Sequence, residues 1–196
     1  MKIRDSGMPG QPTWEGFFNA PDILVQLGLD QAASGVVDFG CGYGTFTVAA
    51  AAITRGAVHA LDIEPDMVAA TAARALALGL GNVVAVQRDF IAHGSGLPDD
   101  SVDYAMLFNV LHADQPLRLL REAHRVLRPG GRAAIIHWIH DARTPRGPDL
   151  RIRPRPRQCR EWLGRAGFQL LIPELDLPPY HYGLLGRKPN PDGRGA

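Results

Sequence analysis

The chain has 196 residues, a formal net charge of +1 and 45% hydrophobic residues, which is the size and composition of one soluble globular domain. The near-neutral charge gives no electrostatic reason to expect a nucleic-acid partner. The two cysteines, Cys41 and Cys159, are not expected to pair, and a reducing cytoplasm is the simplest compartment. No apolar window reaches the length of a membrane span, so no membrane partner is expected.

The order of apolar and polar residues predicts alternating strands and helices after a short N-terminal helical cap at 11–30. Predicted strands cover 36–39, 57–61, 83–86, 102–108 and 132–138. Predicted helices cover 45–55, 65–78, 116–127 and 156–166. Alternation of this kind indicates an α/β fold, in which a parallel sheet is covered by helices on both faces.

The end of the chain departs from this alternation. The extended segments 168–175 and 180–187 leave no room for a helix between them, so they are expected to pair antiparallel. We expect a single domain over residues 1–188, with an Arg/Pro-rich insert at 141–157. The tail 189–196 is rich in Pro, Gly and Asn and is predicted to be disordered.

The most informative segment is the loop Asp38-Phe39-Gly40-Cys41-Gly42-Tyr43-Gly44. A buried strand precedes it and a helix follows it, which is a usual geometry for holding a nucleotide-like ligand. Its glycines let a ligand approach the backbone closely. Asp38 would repel a phosphate and would attract a positive charge, so the loop favours a sulfonium and ammonium ligand over a pyrophosphate. Alternatively, the loop is only a glycine-rich connection.

This loop resembles the first motif of the class I S-adenosylmethionine-dependent methyltransferases, and the chain looks most like the type 11 small-molecule branch that includes quinone-ring methylating enzymes. The resemblance covers roughly residues 36–138, and the closing hairpin supports it. It implies a doubly wound, Rossmann-like sheet of seven strands in the order 3-2-1-4-5-7-6, with strand 7 antiparallel. It also implies S-adenosyl-L-methionine as the cofactor.

The resemblance carries specific residues with it, because ligands of such sheets lie beyond the carboxyl ends of the strands. Asp62 takes the position that accepts the ribose hydroxyls, although a helix-capping role is the alternative. Asp89 takes the position that accepts the adenine amino group, and Asn109 lies near the cofactor ammonium group. The predicted cofactor-binding residues are Asp38, Gly40, Cys41, Gly42, Asp62, Ile63, Asp89, Phe90 and Asn109.

Methyl transfer from a sulfonium is an in-line displacement that depends on proximity and on exclusion of water. A general base is needed only if the acceptor must lose a proton. His112 is the candidate base, and an ordinary half-buried histidine is the alternative. His137 and His140 flank the end of the fifth strand, but no cluster of Cys or acidic ligands accompanies them, so no metal is expected.

Two further segments bear on the acceptor. Trp14, Phe17 and Phe18 form either a lid over the cofactor or ordinary core packing. The arginines of the insert either recognise an anionic acceptor or form a solvated loop, and the solvated loop is favoured. The insert is short, which argues against a bulky or macromolecular substrate.

The favoured function is S-adenosylmethionine-dependent transfer of a methyl group to a small-molecule acceptor. A non-catalytic, cofactor-binding regulatory protein is one alternative. An NAD(P)-dependent oxidoreductase is another, and Asp38 and the closing hairpin both oppose it. The acceptor and the oligomeric state stay open at this point.

Overall fold

The computed structural model describes residues 7–191, which form one seven-stranded sheet flanked by helices. The strands are β1 Gly35–Phe39, β2 Ala57–Asp62, β3 Val83–Gln87, β4 Val102–Phe108, β5 Leu127–Trp138, β6 Gln169–Leu177 and β7 His181–Arg187. Their spatial order is β3-β2-β1-β4-β5-β7-β6, with β7 antiparallel to both of its neighbours. The predicted fold class and strand order are therefore confirmed.

Seven helices accompany these strands within the described residues, two before the first strand and five between strands. They are α1 Gln11–Glu15, α2 Ala20–Gln26, α3 Thr45–Ile53, α4 Pro65–Ala77, α5 Phe90–His93, α6 Pro116–Val126 and α7 Pro156–Arg165. Proline opens α4, α6 and α7, where its fixed φ suits the first turn and its missing N–H is not needed. None of the described helices combines the length and the apolar character needed to cross a bilayer.

The sheet separates two hydrophobic cores, because successive side chains of a strand point to opposite faces. On β1, Val37 and Phe39 pack into the core that contains residues of α6 and α7. Val36 packs into the other core, with residues of α2 and α3. All five residues of β1 are buried, as expected for a central strand of a covered parallel sheet.

Two details of the chain differ from the sequence-based expectation. Strand β5 begins at Leu127, which pairs with Val102, and its register with β4 shifts before Arg132 pairs with Tyr104. The Pro129-Gly130-Gly131 segment is thus an irregularity inside an extended strand instead of a turn before it. The short helix α5 was not predicted, and the Asp89 side chain caps it.

The predicted hairpin at the end of the chain is present as β6 and β7, and β7 pairs with β5 along its whole length. The register places His181 beside Trp138 and Tyr182 beside His137. Segment 11–30, predicted as a helical cap, holds α1 and α2. The predicted disordered tail lies outside the described residues from 192 onward, and the boundary of the domain at 188 stays a prediction.

Candidate functional site

The carboxyl ends of β1 to β5 open onto one cleft. Every residue predicted to bind the cofactor lines it, and so does His112. Parallel strands make this possible, because their carboxyl ends meet at the same edge of the sheet. The described residues that also line the cleft and were not predicted as site residues are Met8, Trp14, Thr45, Phe46, Glu64, Met67, Ile91, Phe108, Val110 and Trp138.

The glycine-rich loop between β1 and α3 is fixed by its neighbours. The Gly40 N–H donates to the Leu61 carbonyl oxygen at 2.8 Å, and the Gly42 N–H donates to the Asp62 carboxylate at 2.9 Å. On the other side, the Thr71 hydroxyl of α4 donates to the Gly42 carbonyl oxygen at 3.0 Å. The loop is therefore tied to β2 and α4, which preorganises it for a ligand.

Asp38 is a buried carboxylate at the end of β1. Burial raises its pKa to about 7, the hydrogen bond from Thr47 lowers it, and the charge of Asp62 raises it further. The Thr47 hydroxyl donates to Asp38 at 2.6 Å. A cation in the cleft would favour the ionised form of this carboxyl group.

Asp62 has a structural role in addition to its place on the cleft wall. One carboxylate oxygen accepts the Gly42 N–H, and the other accepts the Glu64 N–H at 3.0 Å. These contacts hold the turn that leads into α4. They are not a helix cap, because the N-cap residue of α4 is Glu64 and no side chain caps the helix. The predicted contact with the ribose hydroxyls stays a prediction.

Asp89 and Phe90 follow β3 at the far end of the cleft. The Asp89 carboxylate accepts the Ala92 N–H at 2.9 Å, a hydrogen bond of the kind that starts a helix. Phe90 is buried, and its ring lies edge-on to Phe39 with centroids 5.5 Å apart. The predicted contacts with the adenine also stay predictions.

Two polar side chains in the cleft, those of Asn109 and Thr45, have no hydrogen-bond partner among residues 7–191. Asn109 follows β4 in the left-handed conformation, with φ 56°, and neither amide atom has a hydrogen-bond partner among residues 7–191. The Thr45 hydroxyl at the start of α3 is likewise unpaired there and buried. Buried polar atoms are normally paired, so Asn109 and Thr45 fit a ligand that supplies the missing partners. Thr45 was not predicted.

The three candidate histidines differ in position. His112 is buried on the cleft wall, and its ring centroid lies 5.6 Å from that of His137. His137 lies outside the cleft, and burial, followed by His112 and His181, lowers its pKa well below the usual value. His140 is half-buried and also lies outside the cleft. Of the three, only His112 can face a ligand.

The N-terminal aromatic residues divide between the two predicted roles. Trp14 lines the cleft, as a lid residue would. Phe18 packs against Phe46 with centroids 5.1 Å apart, which is core packing. Trp138 lines the cleft beside Trp14 and was not predicted as a site residue, although its place at the end of β5 follows the same strand-end rule.

The arginines of the insert are mostly solvent-exposed, as the solvated-loop interpretation expects. Arg143 pairs with Asp141 at 2.6 Å and Arg151 with Asp149 at 2.9 Å. Arg153 is the exception, because it is buried and its guanidinium donates to backbone carbonyl oxygens of the insert and to a threonine hydroxyl. Its role is to hold the loop together.

Within residues 7–191 no three His, Cys, Asp or Glu side chains are arranged to hold a metal ion. Cys41 and Cys159 are both buried and free. Burial raises the pKa of both thiols, to about 12 for Cys159, so neither is suited to act as a nucleophilic thiolate. The chemistry of the cleft therefore rests on carboxylates, amides, hydroxyls and one imidazole.

Residues 36–131 match the family described as a methyltransferase domain. The chain is 38% identical over 107 residues to a ribosomal protein L11 methyltransferase of Methylococcus capsulatus, covering 54% of this chain and 34% of that protein. It is 31% identical over 122 residues to a demethylmenaquinone methyltransferase of Geobacillus kaustophilus, covering 59% and 49%. The chain thus spans about a third to a half of the length of these curated relatives.

Among solved structures, the fold is similar to that of a SAM-dependent methyltransferase from Aquifex aeolicus. The TM-score is 0.81 and the sequence identity 25%, and the match covers 91% of this chain and 94% of that chain. This match extends well beyond residues 36–131.

Gly44 offers a test of the loop geometry. It has φ +74°, and a Cβ there would meet the Thr71 Oγ1 at 2.9 Å. Gly79 has φ +68° and nothing within 4 Å of such a Cβ. We expect Gly79→Ala to lower the free energy of unfolding by about 1–2 kcal/mol through backbone strain alone. Gly44→Ala should cost more in urea denaturation, because Thr71 must also move.

Equal losses for the two glycine variants would contradict the packing of the loop against α4. Gly79→Ala is the matched control, since it imposes the same backbone strain at the end of α4, away from the cleft.

Proposed function

Because this chain belongs to the class I S-adenosylmethionine-dependent methyltransferase superfamily, we propose that it transfers a methyl group from S-adenosylmethionine to a small-molecule acceptor. The observation that carries the proposal is the cleft itself. Asp38, Asp62 and Asp89 lie along one wall at the ends of three adjacent strands, and the unpaired amide of Asn109 follows on the next strand.

The residues of the cleft fit S-adenosylmethionine. Asp38 suits a cationic group, and the amide of Asn109 and the hydroxyl of Thr45 suit the polar groups of a bound amino acid. Asp62 and Asp89 are placed to accept hydroxyl and amino hydrogens. When bound, the cofactor supplies an activated methyl group, so the protein needs chiefly to hold donor and acceptor together and to exclude water.

The close packing around Trp138 supports the proposal that the acceptor is a small molecule. The insert meets the N-terminal segment there, where the Gly147 N–H donates to the Gly7 carbonyl oxygen at 3.2 Å. A Cβ on Gly147 would lie 2.9 Å from the Trp138 ring, so the segments are tightly packed. Such an enclosure favours a small acceptor over a folded protein, although one relative is a ribosomal protein methyltransferase.

A titration tests the cofactor. We expect S-adenosylhomocysteine to bind with a micromolar dissociation constant in a calorimeter, and NADH to show no binding at the same concentrations. A pyrophosphate placed beside Asp38 and Asp62 would be repelled by their charges. Tight binding of NADH would contradict the proposal. Binding of S-adenosylhomocysteine without transfer of labelled methyl groups to any metabolite fraction would favour the non-catalytic alternative.

The raised pKa of Asp38 predicts pH-dependent binding. In the free protein the carboxyl is about half protonated near pH 7, and a cationic cofactor favours its ionised form. Affinity for S-adenosylmethionine should therefore rise about tenfold between pH 5.5 and 7, with release of a proton. Calorimetry in two buffers of different ionisation enthalpy measures both the affinity and the number of protons released.

Asp38→Asn should flatten this pH profile, because no proton is then released at this position. Asp66→Asn removes an exposed carboxylate in the first turn of α4 and should leave the profile unchanged. An equally steep profile in Asp38→Asn would assign the titration to another group.

The role proposed for His112 is that of general base for an acceptor that must lose a proton. His112→Gln keeps a hydrogen-bonding side chain but removes the base, so kcat should fall about 10²–10⁴-fold with the acceptor found in the transfer assay. Affinity for S-adenosylhomocysteine should stay within twofold. His140→Gln is the control, because His140 lies outside the cleft. An unchanged kcat in His112→Gln would exclude the role of general base.

A further inference from the structure

We propose that the acceptor is an uncharged, planar ring that carries a hydroxyl group, bound where the cleft crosses β4 and β5. This inference rests on the proposed function, since it assigns the acceptor of the same reaction. The residues that carry it are named the acceptor half of the cleft. They are Trp14, Phe46, Phe108, His112 and Trp138.

The strand order separates this half from the carboxylates. Asp89, Asp62 and Asp38 follow β3, β2 and β1, which are adjacent, and Asn109 follows β4. Trp138 ends β5, two strands beyond β1. Because neighbouring strands lie about 4.8 Å apart, roughly 10 Å separates the end of β1 from that of β5. A cofactor held by the three acids and Asn109 leaves the space over β4 and β5 to the acceptor.

The wall of the acceptor half is aromatic and well supported. The rings of Trp14 and Trp138 have centroids 6.2 Å apart and are tilted by 49°, and both side chains are buried. Behind Trp138 lie His181, at 4.2 Å, and Tyr180, at 6.3 Å and nearly parallel. Both indoles line the cleft although little of either is accessible to solvent, so they form a narrow, rigid and apolar wall that suits a flat ring better than a bulky group.

The charges in and around this half exclude ionised acceptors. Among its described residues none is an acid, a lysine or an arginine. Arg153 lies 5.8 Å from the Trp138 ring, but its donors are already bonded to carbonyl oxygens and a threonine hydroxyl. An anion would thus be buried without a cationic partner, which is costly. A cation would be repelled by the sulfonium of the cofactor.

His112 specifies the reacting group. It contributes the one titratable side chain of the acceptor half among the described residues, so an acceptor hydroxyl can donate to its imidazole. In the reaction, a lone pair of the hydroxyl oxygen forms the bond to the methyl carbon, and the sulfur–methyl bond breaks with its electron pair remaining on sulfur. The hydroxyl proton passes to His112 and then to water. The products are a methyl ether and S-adenosylhomocysteine.

Binding of model rings tests this assignment independently of turnover. With the protein saturated by S-adenosylhomocysteine, calorimetric titrations use 1-naphthol, 1-naphthoate, 1-naphthylmethylammonium and 1-methoxynaphthalene. We expect 1-naphthol to bind at least tenfold more tightly than either ion, because burying a full charge without an opposite charge beside it costs more than burying a hydroxyl that donates to His112. It should also bind several-fold more tightly than 1-methoxynaphthalene, and His112→Phe should abolish that last difference.

Variants locate the ring. Trp138→Leu and Trp14→Leu should each weaken 1-naphthol at least tenfold and change the affinity for S-adenosylhomocysteine less than twofold, whereas Trp138→Phe should retain most of the naphthol affinity. Trp162→Leu is the matched control, since Trp162 lies on α7 and packs against the core that contains residues of α6 and α7. Trp138 is nearly inaccessible to solvent, so Trp138→Leu can fail to fold. In that case Trp14→Leu still tests where the ring binds.

The outcomes separate the two proposals. If S-adenosylhomocysteine does not bind, the proposed function fails. If it binds but the ions bind as tightly as 1-naphthol, or if Trp14→Leu and a folded Trp138→Leu both behave like Trp162→Leu, only the assignment of the acceptor fails.

Discussion

The site depends on one constraint, which is that the glycine-rich loop after β1 is fixed by the end of β2. The N–H of Gly40 donates to the Leu61 carbonyl oxygen, and the N–H of Gly42 donates to Asp62. These bonds exist because β1 and β2 pair in parallel, with Phe39 opposite Leu61. The position of the loop, the start of α3 and the burial of Asp38 all follow from that pairing.

Burial of Asp38 has a cost that a ligand can offset. An isolated buried carboxyl disfavours ionisation, so its pKa rises to about 7. Asn109 and Thr45 carry a related cost, since their buried polar atoms are unpaired among the described residues. These three side chains lie in one cleft, and a bound molecule with a positive charge and several polar groups would relieve all three. These three side chains thus favour ligand binding and lower the stability of the free protein.

The central part of the fold and the carboxylates of the cleft were predictable from the sequence, because each carboxylate follows or ends a run of mostly apolar residues. Other features depend on distant contacts. Leu127 extends β5 by pairing with Val102, whereas Pro129-Gly130-Gly131 locally indicates a turn. The left-handed backbone of Asn109 and the approach of Trp14 to Trp138 also leave no local signal, since tertiary packing determines both.

The contact between Gly7 and Gly147, together with His181 behind Trp138, has an evolutionary consequence. Among the described residues, the aromatic and arginine side chains that lie against the Trp138 ring come from positions 14, 17, 153, 180 and 181, outside residues 36–131 that match the methyltransferase domain. Substitutions and length changes in these peripheral segments can therefore retune which molecule is accepted while the shared nucleus of the domain is inherited intact.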